Sequence, residues 1–230
     1  MIKSGFIGIL SLMFLAACTE TRYVNYQGEE AFPDIFSRQV EFNVSKAFYR
    51  DPPDCVVVLP STTADKGQGQ GDGRGRVVED ALARQLSGKV NRVIGPNERD
   101  HLVRRLAVDL SRPGDRRVLA RQARCGFFVQ AKPWGGESVY AVVWTQTRVG
   151  LEVVMTRAGD DGALWQARHV ATRSGGGLPL SPISVASNAF MAARLNTDGD
   201  VPLSLLDDTL RRMVRTLPDT RYAMERRPGG

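Results

Sequence analysis

Two hydrophobic rhythms alternate along this chain. Short, β-branched apolar runs without polar interruption predict strands that are buried on both faces of a sheet. Stretches with apolar residues three or four positions apart predict helices that bury one face. The predicted strands cover 56–60, 90–95 and 127–131. The predicted helices cover 77–86, 97–110 and 115–123.

A different pattern follows in the second half of the chain. Residues 139–157 and 163–173 predict two long, partly alternating strands, and Gly159-Asp160-Asp161-Gly162 predicts a tight turn between them. A last helix, with leucines on one face, is predicted over about 203–217. The order predicts an α/β fold, a three-layer-like sandwich with helices packed on a mixed sheet. The sheet would start parallel and carry the long antiparallel hairpin at its edge.

The first 18 residues, MIKSGFIGILSLMFLAAC, have the layout of a secretory signal peptide. Lys3 gives a positive start, the run from Phe6 to Leu15 is apolar, and small residues precede Cys18. A bilayer-spanning helix needs roughly 20 apolar residues, so this short run argues against a retained transmembrane anchor. The LAAC string resembles the lipobox of bacterial lipoproteins, in which the cysteine is lipidated and becomes the new N-terminus. The other alternative is an unlipidated signal peptide with a coincidental cysteine.

The lipobox resemblance implies an address and a boundary. It implies lipidation of Cys18, with palmitate among the acyl chains, and no other cofactor. An aspartate after the lipidated cysteine retains many lipoproteins at the inner membrane, and Thr19 stands there instead. We therefore expect a lipid anchor in the outer membrane, with the body facing the periplasm. Several acyl chains make such an anchor stable, because each buried methylene contributes about 0.8 kcal/mol.

The chain is expected to divide into four parts. The Asp51-Pro52-Pro53-Asp54 sequence marks a boundary, because prolines stop regular elements. The parts are the signal peptide 1–17, the lipidated N-terminus and tether 18–54, the periplasmic α/β domain 55–217 and a disordered tail 218–230.

Two cysteines follow Cys18, and they occupy equivalent places. Cys55 directly precedes the apolar run VVVLP, and Cys125 lies two residues before the run FFVQA. If these runs are neighbouring parallel strands, the two cysteines start side by side. The oxidising periplasm would permit a disulfide there. The sequence leaves both a bridge and a pair of buried free thiols open.

Charge and the glycine-rich segment suggest contact elements. The formal net charge is +6, but the acidic residues are interspersed with the basic ones, which is typical of a solvated surface and does not predict nucleic-acid binding. The segment KGQGQGDGRG, residues 66–75, precedes a predicted helix but lacks the spacing of a dinucleotide-binding or phosphate-binding loop. We expect a flexible loop, with Lys66, Arg74 and Arg76 as possible contact residues.

No catalytic or metal-binding constellation is evident in the sequence. His101 and His169 have no carboxylate or cysteine at ligand spacing, so no metal is expected. The turn explains the Asp160-Asp161 pair better than acid–base chemistry does. The aromatic residues around the hairpin are expected to pack in the core rather than to form an interaction patch. They are Trp134, Trp144, Trp165 and Tyr140. Enzyme activity is not expected.

The order of these motifs resembles the periplasmic lipoprotein domain that is shared by the curli-secretion protein CsgG, the penicillin-binding-protein activator LpoB and the N-terminal domain of TolB. The resemblance covers about 55–217. It is carried by VVVLP after a proline-rich stretch, the helix EDALARQLSG, a strand ending in Val93-Ile94-Gly95-Pro96, ARQARCG before FFVQA, and a hairpin with Leu164-Trp165 after its turn. It implies the same α/β fold, and fold by itself does not determine function.

Three functions of different classes are consistent with these observations. We expect a membrane-anchored, non-catalytic interaction or assembly module of a cell-envelope complex, whose protein partner the sequence does not identify. The alternative is an oligomeric, CsgG-like component of a secretion or transport apparatus, which makes a homo-oligomer a possible state. An envelope hydrolase is third, because it would need a pocket with a perturbed acid or base.

Overall fold

A computed structural model of the protein describes residues 21–26, 39–61, 71–134, 139–141, 144–175 and 200–221. The helices are α1 (Lys46–Arg50), α2 (Gly71–Leu86), α3 (Pro96–Leu106), α4 (Pro113–Ala123) and α5 (Asp200–Val214). The strands are β1 (Arg22–Asn25), β2 (Gln39–Val44), β3 (Cys55–Val58), β4 (Arg92–Ile94), β5 (Phe127–Pro133), β6 (Val139–Ala141), β7 (Trp144–Arg157) and β8 (Asp160–Gly175).

The strands form one mixed sheet in the order β1-β2-β8-β7-β5-β3-β4, and β6 pairs with one end of β7. The parallel part is β5-β3-β4, whereas β7 pairs antiparallel with both β5 and β8. This confirms the predicted α/β class with a parallel start and a long hairpin. The predicted edge position of the hairpin is wrong, because β2 and β1 extend the sheet beyond β8.

One face of the sheet packs on α2 and α5 and forms the larger core. Alternate residues of the strands supply it, because successive side chains of a strand point to opposite faces. Its members include Val56, Val58, Val129, Val153, Met155, Trp165, Leu82, Leu86, Leu210 and Met213. Trp165 is fully buried and donates its indole N–H to Thr216 Oγ1 at 3.0 Å. We call this side of the sheet the core face.

The opposite face carries a second, smaller core under α3 and α4. Val57 of β3, Ile94 of β4 and Phe128 of β5 pack there against leucines and alanines of the two helices. Both helices begin at a proline, where a missing N–H costs nothing. They end at Ala107 and Arg124, which adopt left-handed backbone conformations with φ of 51° and 49°. The second helix layer therefore covers the parallel part of the sheet.

Several boundaries differ from those that the pattern predicted. Helix α2 begins at Gly71, six residues before the first apolar position that marked it, so part of the expected flexible loop is helical. Helix α3 begins at Pro96, which places Asn97 inside its first turn.

The two ends of the domain also differ from expectation. The segment expected to be a tether up to residue 54 contains β1, β2 and α1, so the folded domain begins well before residue 55. At the other end Thr220 is only 3% exposed. It donates its hydroxyl to the Pro53 carbonyl at 2.7 Å and its N–H to the Lys89 carbonyl at 2.9 Å. Residues 218–221 therefore belong to the fold and not to a tail, whereas 222–230 lie outside the described residues.

Candidate interaction surface

The second face of the sheet is covered over only half of its width. Helices α3 and α4 lie over β4, β3 and the start of β5, and among the described residues the apolar core beneath them includes no side chain of β7, β8 or β2. We call the uncovered part the open half-face. Its side chains are Gln130, Lys132, Glu152, Val154, Gln166, Arg168, Glu41 and Asn43. They occupy the alternate positions to the residues of the larger core.

One row of the open half-face carries alternating charges across four strands. The register places Lys132 opposite Glu152, Glu152 opposite Arg168, and Arg168 opposite Glu41. Opposite charges directly across an antiparallel pair stabilise the sheet, by roughly 0.2–1 kcal/mol per pair. The next row is neutral and consists of Gln130, Val154, Gln166 and Asn43. The surface is therefore polar and nearly balanced in charge.

Arg168 is the most buried residue of the charge row, since it is only 1% exposed. Its Nε and Nη2 atoms both donate to Glu41 Oε2, at 2.9 and 2.7 Å. Its guanidinium carbon lies 4.3 Å from the ring centre of Tyr26 and 4.6 Å from that of Trp134. Tyr26 also donates its hydroxyl to Glu152 Oε1 at 2.7 Å. The two rings thus enclose the cation and close one end of the open half-face.

A concave pocket lies between the open half-face and α4. Its volume is about 280 Å³, and Arg116, Leu59 and Phe128 form the wall on the helix side. Arg116 donates its Nε–H to the Leu110 carbonyl at 2.6 Å, and Gln130 donates to the Pro60 carbonyl at 2.8 Å. These bonds hold two polar side chains in place beside the pocket. The lining of the pocket presents amide, ammonium and hydroxyl groups to a partner.

A buried ion-pair cluster lies at the carboxyl end of β3, where open α/β sheets bind ligands. Arg99 donates to the Val58 carbonyl at 2.8 Å, and its Nη2 lies 2.8 Å from Glu79 Oε2. Glu79 Oε1 accepts the Ser61 N–H at 2.8 Å. Burial raises the pKa of Asp100, but hydrogen bonds from Arg76 and Arg99 outweigh it and leave that pKa below its ordinary value. The cluster is internally paired, and it connects α2 and α3 to β3.

The expected contact residues of the glycine-rich segment are only partly described. Arg76 lies in α2 and bonds to both Asp100 and Asn97, so it joins two helices and does not serve as a freely exposed contact. Arg74 belongs to the first turn of α2. Lys66 lies outside the described residues, as does Cys18.

Cys55 and Cys125 form a disulfide in the structure, with their Cα atoms 5.6 Å apart. The sequence placed the two cysteines side by side only if the apolar runs after them formed neighbouring parallel strands. The strands β3 and β5 are parallel neighbours. The bond lies in the smaller core, under α3 and α4. It belongs to the helix-covered part of the sheet.

The two histidines and the hairpin aromatics lie in different surroundings. His101 is exposed on α3, whereas His169 is buried and its Nδ1 lies 2.6 Å from the Gln39 carbonyl. Burial lowers the pKa of His169 below its ordinary value of 6.5. Of the aromatics, Trp165 lies in the core and Trp134 covers Arg168, while the side chains of Tyr140 and Trp144 lie outside the described residues. Among the described residues, no group of three or more histidine, cysteine or acidic side chains is arranged to hold a metal.

Sequence reasoning missed the two buried arginines. Glu79 and Arg99 sit in helices whose other described polar residues are exposed or half-buried, and no local pattern distinguishes them. Arg168 lies on the strand face opposite to Trp165 and Ala167, so its position in the strand did not predict its burial. Its aromatic neighbours come from distant parts of the chain, so only the sheet order reveals the cluster.

None of the described helices is both long enough and apolar enough to cross a membrane. No known family model matches the chain, and no curated protein matches it either.

Similar solved structures include three bacterial proteins. The PelC dodecamer from Paraburkholderia phytofirmans is 15% identical, with 76% of this chain and 97% of that chain covered and a TM-score of 0.38. Lipoprotein GNA1162 from Neisseria meningitidis is 13% identical, with 63% and 96% covered and a TM-score of 0.40. A protein of the DUF330 family from Xanthomonas campestris is 14% identical, with 90% and 96% covered and a TM-score of 0.38. These similarities are distant, and the resemblance to CsgG, LpoB and TolB stays a prediction.

Proposed function

We propose that this protein is a lipid-anchored lipoprotein of the bacterial envelope that binds a protein partner through its open half-face. The observation that carries the proposal is the uncovered part of the sheet. Its side chains are mostly polar, the strand register fixes their positions, and a pocket of about 280 Å³ lies beside them. An uncovered sheet face of this kind suits binding, because rigid strands position its side chains for a partner.

The same surface does not support a catalytic function. Glu152 accepts a hydrogen bond from Tyr26, and Arg168 is held by Glu41. Among the described residues of the pocket, no histidine or cysteine stands beside a hydroxyl group to act as a base or nucleophile. These side chains favour a binding function over a catalytic one.

Site-specific photocrosslinking in intact cells tests the partner-binding proposal. A photoreactive amino acid at Gln166 or Lys132, on the open half-face, is expected to capture a discrete envelope protein. The matched control is the same amino acid at His101, which is exposed on α3 in the helix-covered part. Equal capture of the same protein from both positions, or capture from neither, would contradict the proposal.

The anchor has its own test. Cys18→Ala is expected to release the protein from membrane pellets, because the acyl chains would be lost. Persistent membrane association of this variant would show that Cys18 is not the anchor. Outer-membrane placement is tested separately, by sedimentation of the two membranes in a density gradient.

A ring-forming transport component remains a second hypothesis from the sequence. PelC is described as a dodecamer, which is a property of that protein. Light scattering on the folded body distinguishes the two proposals, because a ring needs one heterologous interface repeated around an axis. A stable ring would replace the adaptor proposal, and a monomer would support it.

A further inference from the structure

The anchor proposal places a narrow limit on how the body can sit relative to the membrane. Cys18 is only three residues before Thr21, the first described residue, and β1 begins at Arg22. Three residues span at most about 11 Å when fully extended. Lipidation at Cys18 would therefore hold the body against the bilayer surface, with the start of β1 next to the headgroups.

The structure also shows which side of the sheet is nearest to that point. Arg212 of α5 donates a hydrogen bond to the Thr21 hydroxyl, so the chain leaves the body beside α5. Tyr23 lies on the same side of the sheet, because its ring packs edge-on against Phe42 of the larger core, with ring centres 6.5 Å apart. The exit from the body is therefore on the core face and not on the open half-face.

The surface around this exit has the composition of a membrane-contacting patch. Tyr23 is 40% exposed, and aromatic rings of this type favour the membrane–water interface. Arg211, whose side chain is 62% exposed, directly precedes Arg212, which bonds to Thr21, and Arg215 is exposed one turn further along α5. Two carboxylates lie one turn earlier on α5: Asp208 is bonded to Arg211 and Arg212, and Asp207 accepts a hydrogen bond from Gln85. We call Tyr23, Arg211 and Arg215 the anchor patch.

From this geometry we infer that the protein lies on the membrane through the outer surface of α5 and the anchor patch, against anionic lipid headgroups. The inference rests on the proposed lipidation of Cys18. Each arginine near an anionic surface contributes attraction that falls off within a Debye length, so the short link to Cys18 is what brings the patch within range. The open half-face, on the opposite side of the sheet, then points away from the membrane and toward the periplasm.

Fluorescent labels at two positions of the lipidated full-length protein test this orientation. Ser204→Cys places a label on the outer side of α5, and Lys132→Cys places one on the open half-face. The protein is reconstituted into vesicles of phosphatidylcholine with phosphatidylglycerol, together with a lipid that carries a quencher at its headgroup. The label at 204 is expected to be quenched severalfold more strongly than the label at 132. Equal quenching, or stronger quenching at 132, would overturn the inference.

Charge reversal tests the contribution of the patch itself. Arg211→Glu with Arg215→Glu is expected to reduce quenching at position 204 about twofold or more and to make it insensitive to phosphatidylglycerol. The matched control, Arg104→Glu with Arg105→Glu, makes the same charge change on exposed positions of α3 and is expected to leave quenching unchanged. Equal effects of the two pairs would contradict a specific patch.

Failure of the anchor and failure of the orientation are distinguishable. If the full-length protein, purified from the cells that make it, does not pellet with vesicles at all, the proposed lipidation is wrong. If it pellets but its two labels are quenched equally, the anchor is correct and the orientation is wrong.

Discussion

The two halves of the second sheet face differ in what covers them and in which side chains they carry. Over β4, β3 and β5, helices α3 and α4 cover apolar residues such as Val57 and Phe128. Over β7, β8 and β2, most of the described alternate positions are polar, and two aromatic rings cover the buried Arg168. A sheet face can thus be kept from water by a helix layer, or can remain a binding surface if its charges pair across strands. The comparison separates residues that hold the fold from residues that we propose contact a partner.

The largest expected effect lies in the helix-covered half, at the disulfide. Replacing Cys55 and Cys125 together by serine is expected to lower the free energy of unfolding by about 4 kcal/mol, because the bond closes a loop of some 70 residues. Denaturant unfolding measures the change. Reduction of the unmodified protein should give a similar loss, and a loss below about 1 kcal/mol in both experiments would contradict the expectation.

The buried ion pair of the same half is next. Arg99→Met leaves Glu79 buried without its cation and is expected to cost about 3 kcal/mol. Adding Glu79→Leu removes the orphaned charge and should recover part of the loss. A double variant that is less stable than Arg99→Met would show that the pair is not the source of the cost.

In the open half, the enclosed arginine should matter less. Arg168→Lys keeps the charge but loses the planar group between Tyr26 and Trp134, and a loss of about 1–2 kcal/mol is expected. Arg157→Lys is the matched control, since Arg157 also lies over a ring and pairs with Asp51 but is 40% exposed. Thermal unfolding compares the two variants. Equal losses would show that enclosing the Arg168 guanidinium between two rings adds no stability.

A fall in pH should lower the free energy of unfolding through His169, which lies on the core face of the sheet. Because its folded pKa lies below 6.5, the unfolded chain binds the proton more readily, and stability is lost as pH falls from about 6.5 toward the folded pKa. His169→Gln is expected to flatten the pH dependence of unfolding in that window. His101→Gln, on an exposed histidine, should leave it unchanged, and an equal effect of both substitutions would reject the assignment.

The smallest expected effect concerns the surface that we assign to binding. Lys132→Gln and Gln166→Ala should change the free energy of unfolding by less than about 0.5 kcal/mol, because neither side chain is buried in a core. Both should nevertheless weaken partner capture in cells. A large loss of stability would mean that these residues hold the fold instead.

Patterns within single elements predicted the fold better than the site. Apolar runs such as VVVLP predicted β3, and the glycine-containing turn predicted the β7–β8 hairpin, because the periodicity of a buried strand is local. The position of that hairpin in the middle of the sheet was not predictable, since it depends on β2, whose sequence QVEFNV is short and follows a proline-containing segment. The pairing of Arg168 with Glu41 joins residues 127 positions apart, and no local signal encodes it.

The disulfide also determines how the protein would respond to proteolysis. A single cut anywhere between residues 56 and 124 leaves both fragments covalently joined through Cys55 and Cys125. If Cys18 is lipidated as we propose, the N-terminal piece would keep the rest of the body on the membrane. The two pieces would migrate together without reductant and separately with it. A nicked molecule would therefore stay on the membrane until a reductant breaks the disulfide.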